Sequence, residues 1–342
     1  MKFIEVDENR MYSDFQRKGR IRKCFYCGKD GNIISSHSIS EKRCLSLLAE
    51  KINGQIGIYS FKDITWSKEH YYDAYGLGDF ELVGIKKAST FKGFCSCHDQ
   101  SLFKLIDETP FDSKSLEQCF LYCYRAFARN FHSKNEELKR CNAESEYKEW
   151  NLAAVEEEGE GTDLCLSLDM GDYPDLMNEW LDSRDYTHFS HFHVETKTIL
   201  PIAASSTCEP PYTINKCRIN DYLDFLTPLN HIFINIIPED DKTHILISAF
   251  NDQPKAIQFM EELEETYKLD KDKFGRFLTS ILIFHVENTF LSPSLINSLT
   301  NFERRNLLLN LKPGIQENLY NRYIIGDLNI FKNTLLSCTD IG

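Results

Sequence analysis

Two short pairs of ligand-type residues, Cys24/Cys27 and Cys95/His98, constrain this chain more than any other feature. C-x2-C and C-x2-H each place two donors on one tight turn, and three thiolates with one imidazole match a tetrahedral zinc site. With 67 residues between Cys27 and Cys95, one ion would tie together two remote stretches of backbone. Cys97 competes with His98, because a C-x-C pair can also chelate. Gly28 and Gly31 follow the first pair and supply the positive φ that a zinc knuckle needs.

Composition narrows the setting. The chain has 342 residues, enough for two domains with a core each. Its 42% hydrophobic and 13% aromatic content reads as globular. Residues 1–10 lack the apolar run of a signal peptide, and no stretch reaches the roughly 18 apolar residues of a membrane span. The twelve cysteines are therefore expected as reduced thiols and metal ligands in a cytoplasmic protein without membrane contact. The net charge of −13 argues against a general nucleic-acid coat, since Lys and Arg carry phosphate binding. A local basic arm remains: Arg17, Lys18, Arg20, Arg22 and Lys23 crowd the approach to Cys24 and are candidate nucleic-acid contacts.

Periodicity sets out an α+β chain with four parts: a basic arm over 1–22, a zinc-binding module over 23–110, a linking helix over 111–158 and a C-terminal α+β domain with antiparallel strands over 159–342. Within the module, Ile33 and Ile34 begin a strand that delivers His37, residues 41–51 read as a short helix and residues 55–61 as a strand. Residues 99–107 follow helical spacing. In the linking helix Leu116, Phe120, Tyr124, Phe127 and Phe131 recur every three or four residues. The acidic, glycine-containing run from Glu156 to Gly161 marks the domain boundary. Beyond it, residues 232–237 and 244–250 flank a turn as a hairpin, and 256–268, 274–288 and 295–311 read as helices.

Cys24-x2-Cys27, Ser36-His37 and Cys95-x2-His98-Asp99, taken together, resemble the zinc-bearing form of the HNH, or ββα-metal, endonuclease family. The resemblance covers about residues 22–108 and implies a ββα-metal-like module stapled by a structural zinc on Cys24, Cys27, Cys95 and His98. It further implies His37 as general base and Asp99 as ligand of a catalytic Mg²⁺ or Mn²⁺. Ser36 stands where the family has an acidic or histidine ligand, and the family's central asparagine has no match beyond Asn53 as a candidate. The chain as a whole also resembles bacterial proteins with an SH…GFC-x-x-HD-x-x-LF pattern. The activity implied is metal-dependent cleavage of nucleic-acid phosphodiesters, in a setting such as anti-phage defence. An inert zinc fold, acting as a protein- or nucleic-acid-binding subunit, is the alternative.

Elsewhere the chemistry is thinner. Arg125 and His132, seven apart, resemble the Arg/His pair of HEPN ribonucleases, although a solvated helix face is the simpler expectation. His188, His191 and His193 read as half-buried strand histidines, and His285 and Glu287 as buried polar contacts. Cys208 and Cys217 show no chelating spacing. With no catalytic constellation after residue 160, a protein partner is expected to dock there, while nucleic acid would meet the N-terminal module.

Overall fold

Residues 232–239 and 242–250 contain almost no outward-facing polar stripe, so their strands need cover on both faces. The computed structural model, which describes residues 17, 19–66, 78–144, 170–222, 224, 227–311 and 328–331, supplies that cover with helices above and below one antiparallel sheet.

The chain runs through β1 (Ile33–His37), a π-helical turn (Glu41–Leu45) continued by α1 (Ser46–Leu48), β2 (Glu50–Ile52), β3 (Gln55–Ser60), β4 (Ile64–Trp66), β5 (Gly78–Phe80) and β6 (Val83–Gly84). Next come β7 (Thr90–Cys95), α2 (Ser96–Glu108), the long α3 (Leu116–Glu144) and α4 (Tyr173–Ser183). The remainder is β8 (Phe189–Thr196), β9 (Ile202–Cys208), β10 (Ile232–Glu239), β11 (Lys242–Phe250), α5 (Pro254–Leu269), α6 (Lys271–His285), β12 (Thr289–Leu291), α7 (Pro293–Ser298) and α8 (Asn301–Leu311).

The main sheet has eight strands in the order β2-β3-β12-β9-β10-β11-β8, with β6 also on β3. One face, carrying Ile234, Ile236, Ile245 and Ile247, packs on Phe259 and Leu263 of α5 and Phe277 and Ile281 of α6. The opposite face presents Phe189, Phe233 and Phe250 to Phe120, Tyr124 and Phe127 of α3. Ile237, Leu246 and Phe290 on that same face meet Leu45 and Leu48. The period-2 register of β10 and β11 produces this division, since successive side chains take opposite faces. β1 and β7 form a separate two-stranded ladder, and β4 pairs with β5.

Several expectations change in detail. The domain limits drawn from the sequence cut through the main sheet: β3 from the 23–110 segment pairs with β12 from the C-terminal one, Ser60 facing Phe290. Residues 41–51 are not one helix; the π turn and α1 end before Glu50, and Ile52 belongs to β2. Asn53, the candidate for the family's central asparagine, sits with Gly54 in the β2–β3 turn, both at positive φ (51° and 86°). That is a tight hairpin geometry suited to Asn-Gly and leaves Asn53 in a structural place. The β10–β11 hairpin is tighter than expected, with Glu239 directly opposite Lys242. The helix expected over 295–311 breaks at Leu299. There Thr300 and Glu303 form a reciprocal capping box, the Glu303 N–H reaching Thr300 Oγ1 at 3.2 Å and the Thr300 N–H reaching the Glu303 carboxylate at 2.8 Å. On α3, Leu116 departs from the predicted apolar stripe and is exposed. The acidic run 156–161 and Lys18 lie outside the described residues. No described helix is long and apolar enough to cross a membrane.

Candidate metal centre

The knuckle forms where the chain must reverse around two thiols. Gly28, at φ 65°, lets its N–H return to the Cys24 carbonyl at 2.8 Å, and the Cys24 N–H donates to the Lys29 carbonyl at 3.1 Å. The Phe25 N–H then donates to the Gly93 carbonyl at 2.7 Å, which ties the knuckle to β7. β7 ends at Cys95, which is also the N-cap residue of α2, so His98 falls in the first helical turn. In this way Cys24, Cys27, Cys95 and His98 converge, with their donor atoms all within 4.8 Å of one another. His98 Nδ1 lies 3.2 Å from Cys95 Sγ and 3.6 Å from Cys24 Sγ. Donors at zinc bond lengths in a tetrahedron stand about 3.3–3.8 Å apart, so the spacing fits.

This Cys3His cluster could hold a metal ion such as zinc; it is the group of metal-ligand type found among the described residues. Cys97 is exposed and outside it, which decides between the two alternatives in favour of His98. Burial pushes the Cys24 thiol up, while the Lys29 backbone N–H holds the Cys27 thiol down. A bound cation would favour the thiolate of both. Around the cluster, Tyr26 packs edge-on to the His98 ring at 4.6 Å and donates its hydroxyl to Asp182 of α4 at 2.6 Å. Asn178, also on α4, donates to the Phe25 carbonyl at 3.2 Å and accepts from Tyr124 at 2.5 Å.

β1 lies antiparallel to β7, with Ile33 opposite Cys95 and His37 opposite Thr90. The register shifts between Ile34 and Ser36, a bulge that re-aims the last residues of the strand. Ser36 is buried and its hydroxyl has no partner; Nδ1 of His37 and Oδ1 of Asp99 are likewise buried without hydrogen bonds. His37 Nε2 stands 3.4 Å from the Glu41 carboxylate. Burial lowers the His37 pKa, opposed by the charge of Glu41, by the Ala88 backbone and, more weakly, by the charge of Asp99, while Arg125 adds to the lowering. Asp99 does not cap α2: Cys95 is the N-cap residue and no side chain caps that end.

Arg17, Arg20, Arg22 and Lys23 are exposed as the arm crosses α3. The Ile21 N–H donates to Glu136 at 3.2 Å and Lys139 donates to the Arg20 carbonyl at 3.0 Å, leaving the Arg20 side chain on the outside.

Arg125 and His132 do not form a solvated helix face. Both are buried, at 3% and 7% exposure. Arg125 makes a two-pronged bond to Asp107 at 2.9 and 2.6 Å and lies 4.0 Å over the Phe103 ring. His132 meets the edge of Phe91. Glu287 is not a buried contact either, but an exposed partner of Lys62. His191 bonds Ser248 at 2.8 Å and His193 bonds His244 at 3.0 Å, with burial pushing both His191 and His193 down to about 4. Sequence reading passed over Glu41, Asp107 and Arg129. Asp99, Phe103 and Asp107 recur every four residues on one helix, and Arg125, Arg129 and His132 follow at steps of four and three on the next, a signal that periodicity alone could have raised.

No protein-family model matches the chain, and neither the curated proteins nor the solved structures compared with it give a match.

Proposed function

We propose that the N-terminal module is a metal-dependent endonuclease site of the HNH-like kind. The reading is supported by one arrangement: two antiparallel strands followed by a helix, with His37 at the end of the first strand and Asp99 in the first turn of the helix. His37 Nδ1 and Asp99 Oδ1 are buried polar atoms without hydrogen bonds, and the charge of Asp99 reaches His37. Buried polar atoms left unpaired cost stability, and a fold that keeps several at one seam has a use for them.

In this reading zinc is structural and holds the knuckle to the start of α2. His37, kept neutral at physiological pH by burial, takes the proton of the attacking water. Asp99 offers a carboxylate oxygen, and Mg²⁺ commonly rests on one or two carboxylates with the remainder supplied by water and substrate phosphate. Such an ion would neutralise charge developing on the phosphodiester. The exposed Arg17, Arg20, Arg22 and Lys23 would follow the backbone of the nucleic acid. The setting of anti-phage defence, and a protein partner at the C-terminal part, rest on the resemblance and on the absence of a sequence signal there.

A buried hydroxyl at Ser36, in place of a stronger metal ligand, favours the second reading, an inert zinc fold that binds a partner. The two separate on cleavage of plasmid DNA and of RNA with Mg²⁺ or Mn²⁺, run beside a His37→Ala protein that retains its zinc. Loss of cleavage by about a hundredfold or more in the variant supports the base role. Equal cutting by both proteins refutes it, and inactivity of the wild type on every substrate turns the reading to the binding module.

A further inference from the structure

The Arg125/His132 motif remains without a role once its exposed reading is set aside. Arg125, Arg129 and His132 occupy one face of α3, at i, i+4 and i+7. That face meets the β1–β7 ladder. The His132 ring packs on Phe91, which is paired with Ser36 across the ladder, and the charge of Arg125 reaches His37. Arg125 Nε, Arg129 Nε, His132 Nε2 and Ser36 Oγ are all buried without hydrogen-bond partners. Three of these side chains are more than nine-tenths buried, and Arg129, the half-buried member, is the one open to solvent.

Carboxylates stand against two of these groups. Asp107 occupies the two terminal nitrogens of Arg125, and Glu136 stands 3.7 Å from His132 Nε2 while also accepting from the Ile21 backbone. Arg129 has no such carboxylate bond among the described residues; burial disfavours its cationic form and the charge of Glu287 opposes that. A guanidinium held this way is stabilised by an anion with several acceptor oxygens, which a planar fork of donors fits.

We propose that Arg129, between Arg125 and His132 on this helix face, forms a phosphate subsite that takes a backbone phosphate of the nucleic acid next to the one facing His37. The assignment rests on the nuclease reading for the identity of the ligand, but the phosphate site itself can be tested without cleavage.

Thermal unfolding of the zinc-loaded protein is followed as inorganic phosphate is titrated against chloride at constant ionic strength, for wild type, Arg129→Gln and Arg129→Lys. A rise in Tm that saturates in wild type, is lost in Arg129→Gln and is partly kept in Arg129→Lys supports the site. An equal, unsaturated rise in all three is the general exclusion of phosphate from protein surface and overturns it, as does no rise at all. Each variant's Tm without phosphate reports whether it has folded. Binding of a fluorescent DNA duplex and an RNA strand, without added Mg²⁺ or Mn²⁺, then tests the ligand: Arg129→Gln should weaken at least one by about tenfold. Unchanged affinity for both overturns the assignment to nucleic acid. Phosphate binding without cleavage sinks the nuclease reading and leaves the site, whereas cleavage with no phosphate response does the reverse.

Discussion

Burial sets the protonation of several histidines, with consequences for stability. His191, His193, His231 and His285 are each pushed down to about 4 from an ordinary 6.5 because the folded protein desolvates their charged form. Their unfolded counterparts bind protons at a higher pH than the folded ones do. Between pH 6.5 and about 4 the unfolded state therefore holds more protons, and stability must fall as pH drops through that window. Above pH 6.5 this loss is absent. The carboxyls of Glu195 and Glu239, held low by Lys242 and by His244, Phe111 and Arg43 respectively, act in the same direction but below their ordinary 4.5. Urea denaturation at pH 7.5 and pH 5 is expected to show a lower midpoint at pH 5. Equal midpoints would mean that these rings gain protons in the folded state.

At the scale of elements, the Cys3His cluster is a joint among four pieces: the knuckle, β7, α2 and, through Tyr26 and Asn178, α4. Metal affinity at a site of this kind becomes folding free energy, because the unfolded chain holds no such site. Chelation is expected to raise amide exchange at residues 22–30 and in the first turn of α2, and to spread to α4. The β10–β11 hairpin, buried between two layers, should keep its protection. Uniform loss of protection throughout would show the metal to be needed for the whole fold, and no change would remove it from the structural account. Phe94 measures the same joint from inside. It has no exposure and touches Phe25, Phe91, Phe103 and Tyr124, so Phe94→Ala should cost about 3–5 kcal/mol by urea titration.

Over the whole molecule, the sheet rather than the linear order of segments decides what folds together. β3 contributes its backbone bonds to β12, and Ile58 and Leu48 pack with Ile237 and Leu246. Residues 159–342 expressed alone would present β12 as an uncovered edge and leave the α3-facing side of the sheet bare. That fragment is expected to lack a cooperative thermal transition and to bind a hydrophobic dye, and the full chain is expected to melt cooperatively without binding the dye. A sharply melting, dye-silent fragment would show that the C-terminal part has a core of its own.

The sequence by itself determined what rests on local spacing. Two ligand pairs announce a Cys3His cluster, and runs of alternating or fourfold apolar residues place β10, β11, α3 and α5. Turn chemistry was present there as well, in Asn53-Gly54 and in the Thr300–Glu303 cap, but a motif match at Asn53 and an apolar period running through 295–311 masked it until the structure showed both turns. What only the tertiary structure decided depends on contacts between residues remote in sequence. It chose His98 over Cys97 because the first turn of α2 aims one donor at the knuckle and the other at solvent. It moved Arg125 and His132 from a solvated face to a buried one because β7 and α2 pack over them, a fact that helical periodicity does not contain. It joined two segments that composition would separate, because a strand's free edge is paired by whichever strand the rest of the fold carries to it.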